Sequence, residues 1–417
     1  MVEWEFLQAH GPTRLSRETD LAAMIAIPYN HRARAAQPPK CVEILLRDDL
    51  RQCRAWRVAF ENERKDHRYY ELLEDTIRQG FDYRYFTIKD EHGETRAVQP
   101  FFIHDQDLLA GLSPKTRRLV NGIRRVWPRF FTMRTLMVGC AAGEAHLDGD
   151  AGSFSANACR LASAIMAHAR SLRISLVVLK EFPAKYRQPL QCFVDQGFRR
   201  VPSFPMTVLN IDYASFDEYM IRALNSATRT KLRKKFRAAA RAAPIELAVL
   251  NDISPIIDQA YPLYRQVYER SKFHFEELTE GYFCGLGRVM PEKVRFFVWR
   301  QEGRLVAFAL CLLHDDAFYA EYVGFDYLVA LDLHLYHYAV RDMVSWAIGA
   351  GYKWFRSSAL NYDPKLHLRH RLDPVDLYVR HTSRIANAAL QRILPLIEPT
   401  RPDQTLKRFP NYRELWE

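Results

Sequence analysis

An acidic residue interrupts an otherwise apolar and aromatic run, FYAEYV, at residues 318–323. Strand alternation predicts Tyr319 and Glu321 on one face and Tyr322 on the other. A carboxylate inside such a strand is unfavourable unless it is used or paired. Glu321 is therefore a candidate general base or amine-binding group, and Tyr322 and the following Asp326 are candidate catalytic companions. The alternative is that Glu321 only pairs with an arginine or lysine on a neighbouring strand.

A run of cations without interleaved acids lies between residues 229 and 241, in the segment RTKLRKKFRAAAR. The pattern predicts a basic helix from Phe216 to about Ala243. Because no acid pairs with these cations locally, the helix favours an anionic partner, such as a phosphate group or an RNA backbone. Arg233 and Lys234 are the candidate ligands, and the alternative is a solvated charged face.

Small residues form a second candidate anion site, GCAAG, from Gly139 to Gly143. Such residues allow a close backbone approach, and free N–H groups before a helix can bind a phosphate. The alternative is a flexible loop with a tight turn.

Further candidates for substrate contact follow the FYAEYV strand. His334 shares a helix face with His337, a pattern more typical of packing than of chemistry. Lys365 lies in a basic segment that is predicted to contact an anion or to form a basic surface strand. The His367-x-x-His370 spacing lacks cysteine or acid partners, so no metal site is predicted. The basic segment comprises Arg356, His367, Arg369, His370 and Arg371.

The bulk composition suits a globular protein of two or three domains. The 417 residues exceed one ordinary core, and 48% hydrophobic with 26% charged residues is close to globular averages. The sequence has no run of about 18 apolar residues, so no transmembrane helix is predicted, and the N-terminus lacks a signal-peptide pattern. The seven scattered cysteines argue against a disulfide framework and a zinc site. We therefore expect a cytoplasmic protein, and its net charge of +11 suits polyanions.

The elements that must position these residues occur twice. Two strands joined by a turn are predicted from Arg84, in RYFTIKDEHGETRAVQPFFIHD, and again from Arg295, in RFFVWRQEGRLVAFALCLLHDD. A helix followed by a buried strand comes later in both halves, within 160–180 and 338–357. We interpret this order as a divergent internal duplication. The alternative is a chance likeness between two common units.

Three stretches carry a family resemblance: FDEYMIRALNSATRTKLRKKFRAA (216–239), EGRLVAFALCLLHDDAFYAEYVGFD (302–326) and AIGAGYKWFRSSALNYDPKLHL (347–368). They resemble the tandem GNAT-fold N-acyltransferases, which include the Fem-type aminoacyl transferases and the "peptidoglycan biosynthesis" group of predicted N-acyltransferases. The resemblance covers about 205–382 well and 45–205 more weakly. It also marks Lys365, because these families keep a lysine near that point.

The resemblance implies an α/β fold with two tandem GNAT-like units, each a mixed, mostly antiparallel sheet flanked by helices. The expected divisions are an N-terminal arm (1–40), a first unit (41–210), a second unit with the basic helix (211–383), and a C-terminal helix and tail (384–417). In GNAT enzymes the donor carbonyl lies along a central strand whose backbone N–H serves the oxyanion. The usual pyrophosphate loop is absent after Gly324, which weakens the expectation of ordinary acetyl-CoA binding there.

The resulting expectation is an N-acyltransferase that moves an acyl group from an acyl-CoA-type thioester directly to an amine. Acyl-CoA would act as a co-substrate, with no tightly bound cofactor. The first alternative is a Fem-type transferase that takes its group from aminoacyl-tRNA, although 244–293 is short for the long helical hairpin of that type. The second is a non-catalytic protein that binds an anion or nucleic acid on a degenerate GNAT scaffold.

Overall fold

In the computed structural model of the protein, the described residues are 41–107, 122, 125, 132–241, 243–271 and 275–417. The predicted N-terminal arm (1–40) lies outside them. Among the described helices, none is both long and apolar enough to cross a bilayer.

Strands make up the two sheets of the protein. In chain order they are β1 (Val42–Leu45), β2 (Phe81–Lys89), β3 (Thr95–Asp107), β4 (Thr132–Val138), β5 (Leu176–Pro183), β6 (Arg199–Pro202), β7 (Met206–Asn210), β8 (Ile245–Leu250), β9 (Val294–Gln301), β10 (Arg304–His314), β11 (Ala317–Phe325), β12 (Trp354–Ser357), β13 (Arg371–Asp373) and β14 (Val375–His381).

Helices flank these sheets. They are α1 (Arg47–Leu50), α2 (Arg54–Arg57), α3 (His67–Thr76), α4 (Phe154–Ser171), α5 (Gln191–Asp195), α6 (Phe216–Ala223), α7 (Ser226–Ala240), α8 (Ile257–Arg270), α9 (Glu280–Val289), α10 (Leu335–Gly349), α11 (Tyr362–His367) and α12 (Arg384–Ile397).

The two sheets have the same strand order. The first is β1-β2-β3-β4-β5-β14-β6 and the second is β8-β9-β10-β11-β12-β7-β13. In each, four antiparallel strands precede a fifth that is parallel to the fourth. The stretches matched in the sequence occupy equivalent positions, because β2–β3 corresponds to β9–β10 and α4–β5 to α10–β12. The predicted fold class is confirmed.

The sheets exchange one strand each. β14 lies between β5 and β6 of the first sheet, and β7 lies between β12 and β13 of the second. The segment 41–210 therefore lends β7 to the second sheet, and 211–383 lends β14 to the first.

A shared apolar core joins the two sheets. It contains Phe102 and Val178 from the first sheet and Phe296 and Leu310 from the second. Two separate cores lie beneath the outer helices, one under α4 and one under α10. The surface between the sheets is thus a packed interior, and polar groups buried in it require partners.

The predicted single basic helix is wrong, because the chain forms α6 and α7 with a break between them. Leu224 has an extended backbone, and the side chain of Asn225 accepts a hydrogen bond from the Thr228 N–H at 2.8 Å. Asparagine is among the best N-cap residues, so it starts a new helix at this point.

Candidate active site

The candidate site lies where β11 separates from β12. The two parallel strands pair only from Ala317 to Ala320 on β11. On the other side, Ala320 and Tyr322 have partners in β10, whereas Glu321 is an extra residue between them. This is a β-bulge, which leaves one residue without a ladder partner and re-aims nearby side chains. The bulge and the opening between the strands therefore coincide at Glu321.

The bulge overturns the predicted alternation. Ala320 and Val323 pack towards α10, whereas Tyr319 and Tyr322 both pack into the core between the sheets. Glu321 also points to that side, where it pairs with Arg64. The prediction that Tyr322 lies on the opposite face is wrong, because one inserted residue shifts the two-residue period.

Arg64 reaches this point from the first half of the chain. Its Nη1 donates to Glu321, its Nη2 donates to Glu144, and its guanidinium lies 4.1 Å from the centre of the Tyr319 ring. Only 2% of the Arg64 side chain is exposed, with 7% of Glu321 and 6% of Glu144. Burial lowers the pKa of Arg64, but the attraction of both carboxylates outweighs it and raises that pKa. Glu321 is thus in a buried ion pair, but its partner lies in the loop before α3 and not on a neighbouring strand, as the alternative expected.

Lys65 contacts the glycine-containing loop between Gly139 and Gly143. Its Nζ donates to the Ala142 carbonyl and to Glu144, both at 3.1 Å. Gly143 has a φ of +83°, and a Cβ there would overlap the Lys65 ammonium. Lys180 donates to the Gly143 carbonyl at 3.1 Å. These contacts turn loop carbonyls towards cations, the opposite polarity to a phosphate loop.

Gly139 meets a geometric need at the end of β4. Its φ is +125°, and a Cβ would lie 2.5 Å from the Ala145 Cβ. The role of Gly139 and Gly143 in cofactor binding stays a prediction.

Tyr322 and Glu276 form a second polar pair beside the bulge. The Tyr322 hydroxyl donates to Glu276 at 3.0 Å. Burial raises the pKa of the Glu276 carboxyl, although Lys180 opposes it, and burial raises the pKa of Tyr322 well above its usual value. Lys180 is itself paired with Glu181 at 2.7 Å. A carboxylate with a raised pKa accepts a proton more readily near neutral pH than an ordinary one.

Two predicted residues lie in other surroundings. Asp326 accepts a hydrogen bond from the Leu328 N–H at 3.0 Å and pairs with Arg304, so its contacts fix the turn after β11 and do not include Glu321. His334 precedes α10 with a left-handed backbone, and its carbonyl accepts from the Tyr338 N–H at 3.1 Å.

The predicted basic residues divide into two groups. Arg233 and Lys234 are exposed on α7, and no carboxylate in the described part of the chain pairs with them. Arg356 belongs to the site, because it pairs with Asp373 and lies 5.8 Å from the Tyr319 ring.

Lys365 is buried on α11. Its Nζ donates to the carbonyls of Ser358 at 2.5 Å and Leu360 at 2.8 Å. Burial lowers its pKa to about 7.

Sequence reasoning missed the residues that the first half of the chain contributes. They belong to a charged run, ENERKDH at 61–67, and to the acid that follows the GCAAG stretch. The usable signal was the placement of arginine and lysine side by side within an aromatic-rich region. Arg64, Lys65 and Glu144 belong to these two stretches, whereas two further missed residues lie elsewhere, Lys180 on β5 and Glu276 in the second half of the chain.

A family comparison matches this chain. The model of the FemAB-like family, described as peptidoglycan biosynthesis/recognition, matches residues 152–367. A putative 8-amino-7-oxononanoate synthase 2 from Mycobacterium tuberculosis is 24% identical over 256 residues, which are 56% of this chain and 31% of that protein. The chain therefore spans about a third of the length of this curated relative.

Solved structures with similar folds have lower sequence identity to this chain. L-PGS from Bacillus licheniformis is 12% identical with a TM-score of 0.45, covering 80% of this chain and 96% of that one. FemX is 12% identical with a TM-score of 0.44, covering 79% and 93%. These similarities are too distant to bear on function.

Proposed function

The chain belongs to the FemAB-like family, a transferase family, and from that premise we propose that it is an N-acyltransferase. It moves an acyl group from an acyl-CoA-type thioester to an amine. The observation that carries the proposal is the bulge at Glu321, where β11 leaves β12 and charged side chains from both halves of the chain meet.

The reaction is a direct transfer. The amine nitrogen attacks the thioester carbonyl carbon, the C–N bond forms as the C–S bond breaks, and the proton lost by the amine ends on the leaving thiol. An extra residue in a strand leaves a backbone N–H free to donate to the developing oxyanion. Tyr319 lines the acyl group, and no covalent enzyme intermediate is needed.

Glu321 and Glu276 divide the acid–base work. Arg64 donates to one oxygen of Glu321, and the other oxygen holds the incoming amine. Glu276, whose pKa burial raises, accepts the proton through the hydroxyl of Tyr322. Proton transfer by positioned groups of this kind contributes about 10²- to 10⁴-fold to enzyme rates.

The donor's phosphates are assigned to exposed cations. Among the described residues, no acid pairs with Arg233 or Lys234 on α7, so none competes there with a phosphate. The same cations suit the aminoacyl-tRNA alternative, so the donor must be distinguished by experiment. The helices after β8 favour the thioester over aminoacyl-tRNA, because neither α8 nor α9 is a long arm like those of the Fem-type helical hairpin. Instead, α8 packs on β11 so closely that a Cβ on Gly324 would collide with the backbone of Leu263 and Tyr264.

The test offers both donors. Wild-type protein is incubated with a panel of primary amines and either acetyl-CoA, a long-chain acyl-CoA or aminoacyl-tRNA, and acylated amine is detected by mass spectrometry. We expect product from acyl-CoA, with Glu321→Gln slower by at least about 100-fold. Glu246→Gln, a change of an exposed acid on β8, is the matched control.

Product from aminoacyl-tRNA alone would establish the alternative donor. No product from any donor would refute the proposal in its general form. Normal turnover by a folded Glu321→Gln protein would refute the role of Glu321.

A further inference from the structure

Two arginines beside Tyr319 each keep one unsatisfied buried donor. The Arg64 and Arg356 guanidinium carbons lie 4.1 Å and 5.8 Å from the centre of the Tyr319 ring. The Nε–H groups of both are buried without a hydrogen-bond partner among the described residues. A buried donor left unpaired is unfavourable and rare in folded proteins. Two such donors beside one ring therefore indicate a missing acceptor.

Three terminal nitrogens of these two arginines are already directed to carboxylates. Arg64 uses Nη1 for Glu321 and Nη2 for Glu144, and Arg356 uses Nη1 for Asp373. The carboxylates fix the planes of the guanidinium groups, because a guanidinium is rigid and its five N–H groups have fixed directions. Each Nε–H is thus held in a set direction before any ligand arrives.

The position of these donors matches the opening between β11 and β12. Tyr319 and Arg356 are cross-strand partners in the second-to-last pair before the strands separate. Arg64 approaches the same tyrosine from the first half of the chain, with 2% of its side chain exposed. An acyl group held in that opening at the Glu321 bulge would place its carbonyl beside these donors.

The charge of the cluster selects the kind of acceptor. Three cations face three carboxylates in this cluster, so it is balanced without a ligand. A carboxylate or phosphate ligand would add an uncompensated buried negative charge, which is strongly unfavourable. A neutral carbonyl oxygen adds none, and it gains negative charge only as the amine attacks. The members are Arg64, Lys65, Arg356, Glu144, Glu321 and Asp373.

We propose that Arg64 is a substrate-binding residue whose Nε–H, together with that of Arg356, donates to the carbonyl oxygen of the acyl donor. The site is then composite, since the first half of the chain supplies Arg64 to a strand opening of the second sheet. This inference rests on the proposed function and deepens it. Donors aimed at the carbonyl before reaction stabilise the oxyanion without reorganisation.

The test compares ligands that differ only in the carbonyl. For a CoA donor, the probes are the acyl-CoA analogue with CH₂ in place of sulfur, which keeps the carbonyl, and S-ethyl-CoA, which lacks it. For a tRNA donor, they are 3′-aminoacylamido-adenosine and 3′-alkylamino-adenosine. Dissociation constants are measured by calorimetry for the wild type and for Arg64→Lys, which keeps the charge but loses the Nε–H.

In one of the two pairs, we expect the wild type to bind the carbonyl-bearing probe at least about tenfold more tightly than its carbonyl-free counterpart, as for a hydrogen bond from a charged donor. Arg64→Lys should lose that preference while binding the carbonyl-free probe as before. Arg356→Lys, at a side chain with 32% exposure, provides a second variant if Arg64→Lys does not fold. Arg304→Lys, at an exposed arginine paired with Asp326, is the matched control and should keep the preference.

Equal binding of both probes by the wild type would overturn the carbonyl site while leaving the proposed function standing. A preference that survives in both arginine variants would do the same. Failure of all four probes to bind would overturn the proposed function together with this inference.

Discussion

Replacing Lys365 with methionine should make the protein more stable at neutral pH. The lysine is 5% exposed, and its Nζ contacts two carbonyl oxygens and no carboxylate of the residues that the structure describes. Burial lowers its pKa from 10.5 to about 7. Methionine has a similar length, fills the same space and needs no solvation, so Lys365→Met removes the desolvation penalty and leaves the packing almost unchanged.

The magnitude follows from linkage. Between pH 10.5 and about 7 the unfolded lysine binds a proton and the folded one does not, so stability falls by about 1.4 kcal/mol for each pH unit of acidification. Over about 3.5 pH units the loss reaches roughly 5 kcal/mol at pH 7. Lys365→Met also loses two hydrogen bonds, and each loss lowers the stability of the variant by about 1 kcal/mol. The variant should therefore be more stable than the wild type by roughly 3 kcal/mol at pH 7.

The assay is urea unfolding of wild type and Lys365→Met at pH 7, 8 and 9. Other titrating groups are common to both proteins, so they cancel in the difference. That difference should shrink by about 1.4 kcal/mol per pH unit above pH 7. Lys353→Met, the same substitution at an exposed position, is the matched control. A constant difference for Lys365→Met, or a less stable variant at pH 7, would show that the folded lysine is charged and the reasoning wrong.

Two further predictions concern the glycine-containing loop and α7. Gly143→Ala should lower the free energy of unfolding by about 3 kcal/mol, because it combines a left-handed backbone with a collision against Lys65. Gly93 has the same φ of +83° but open space around it, so Gly93→Ala should lower the free energy of unfolding by only about 1–2 kcal/mol. Equal losses for the two variants in chemical denaturation would contradict the collision. Replacing Arg233 and Lys234 together with alanine should weaken donor binding at low salt and reduce its salt dependence, since exposed charges act through screened electrostatics; calorimetric affinities unchanged across salt concentrations would remove α7 from the donor site.

Much of the fold was predictable because its signals are local. The strands of each central pair carry continuous apolar and aromatic runs joined by turn residues, as in Arg84–Lys89 and Arg295–Arg300. Both runs became strands in equivalent places. The break before Asn225 was missed because the helical pattern continues through it and the cap is a single side-chain contact.

The site was predictable only on one side. Glu321 stood out as an acid in an apolar strand, and its neighbour Tyr319 lies in the cluster. The partner of Glu321 lies 257 residues away in sequence, and no local pattern encodes such a contact. The bulge was equally hidden, since one inserted residue changes which side chains share a face without altering the composition of the strand.

The two halves of the chain must assemble together for this site to exist. Each sheet takes an inner strand from the other half, so the ladders beside β5 and β12 stay unpaired until both halves have folded. The charges behave in the same way, because Glu321 without Arg64 would be a buried ion lacking its partner, and such a state is strongly unfavourable. Formation of the Arg64–Glu321 pair is therefore coupled to docking of the halves, and a partly folded chain lacks this charged cluster.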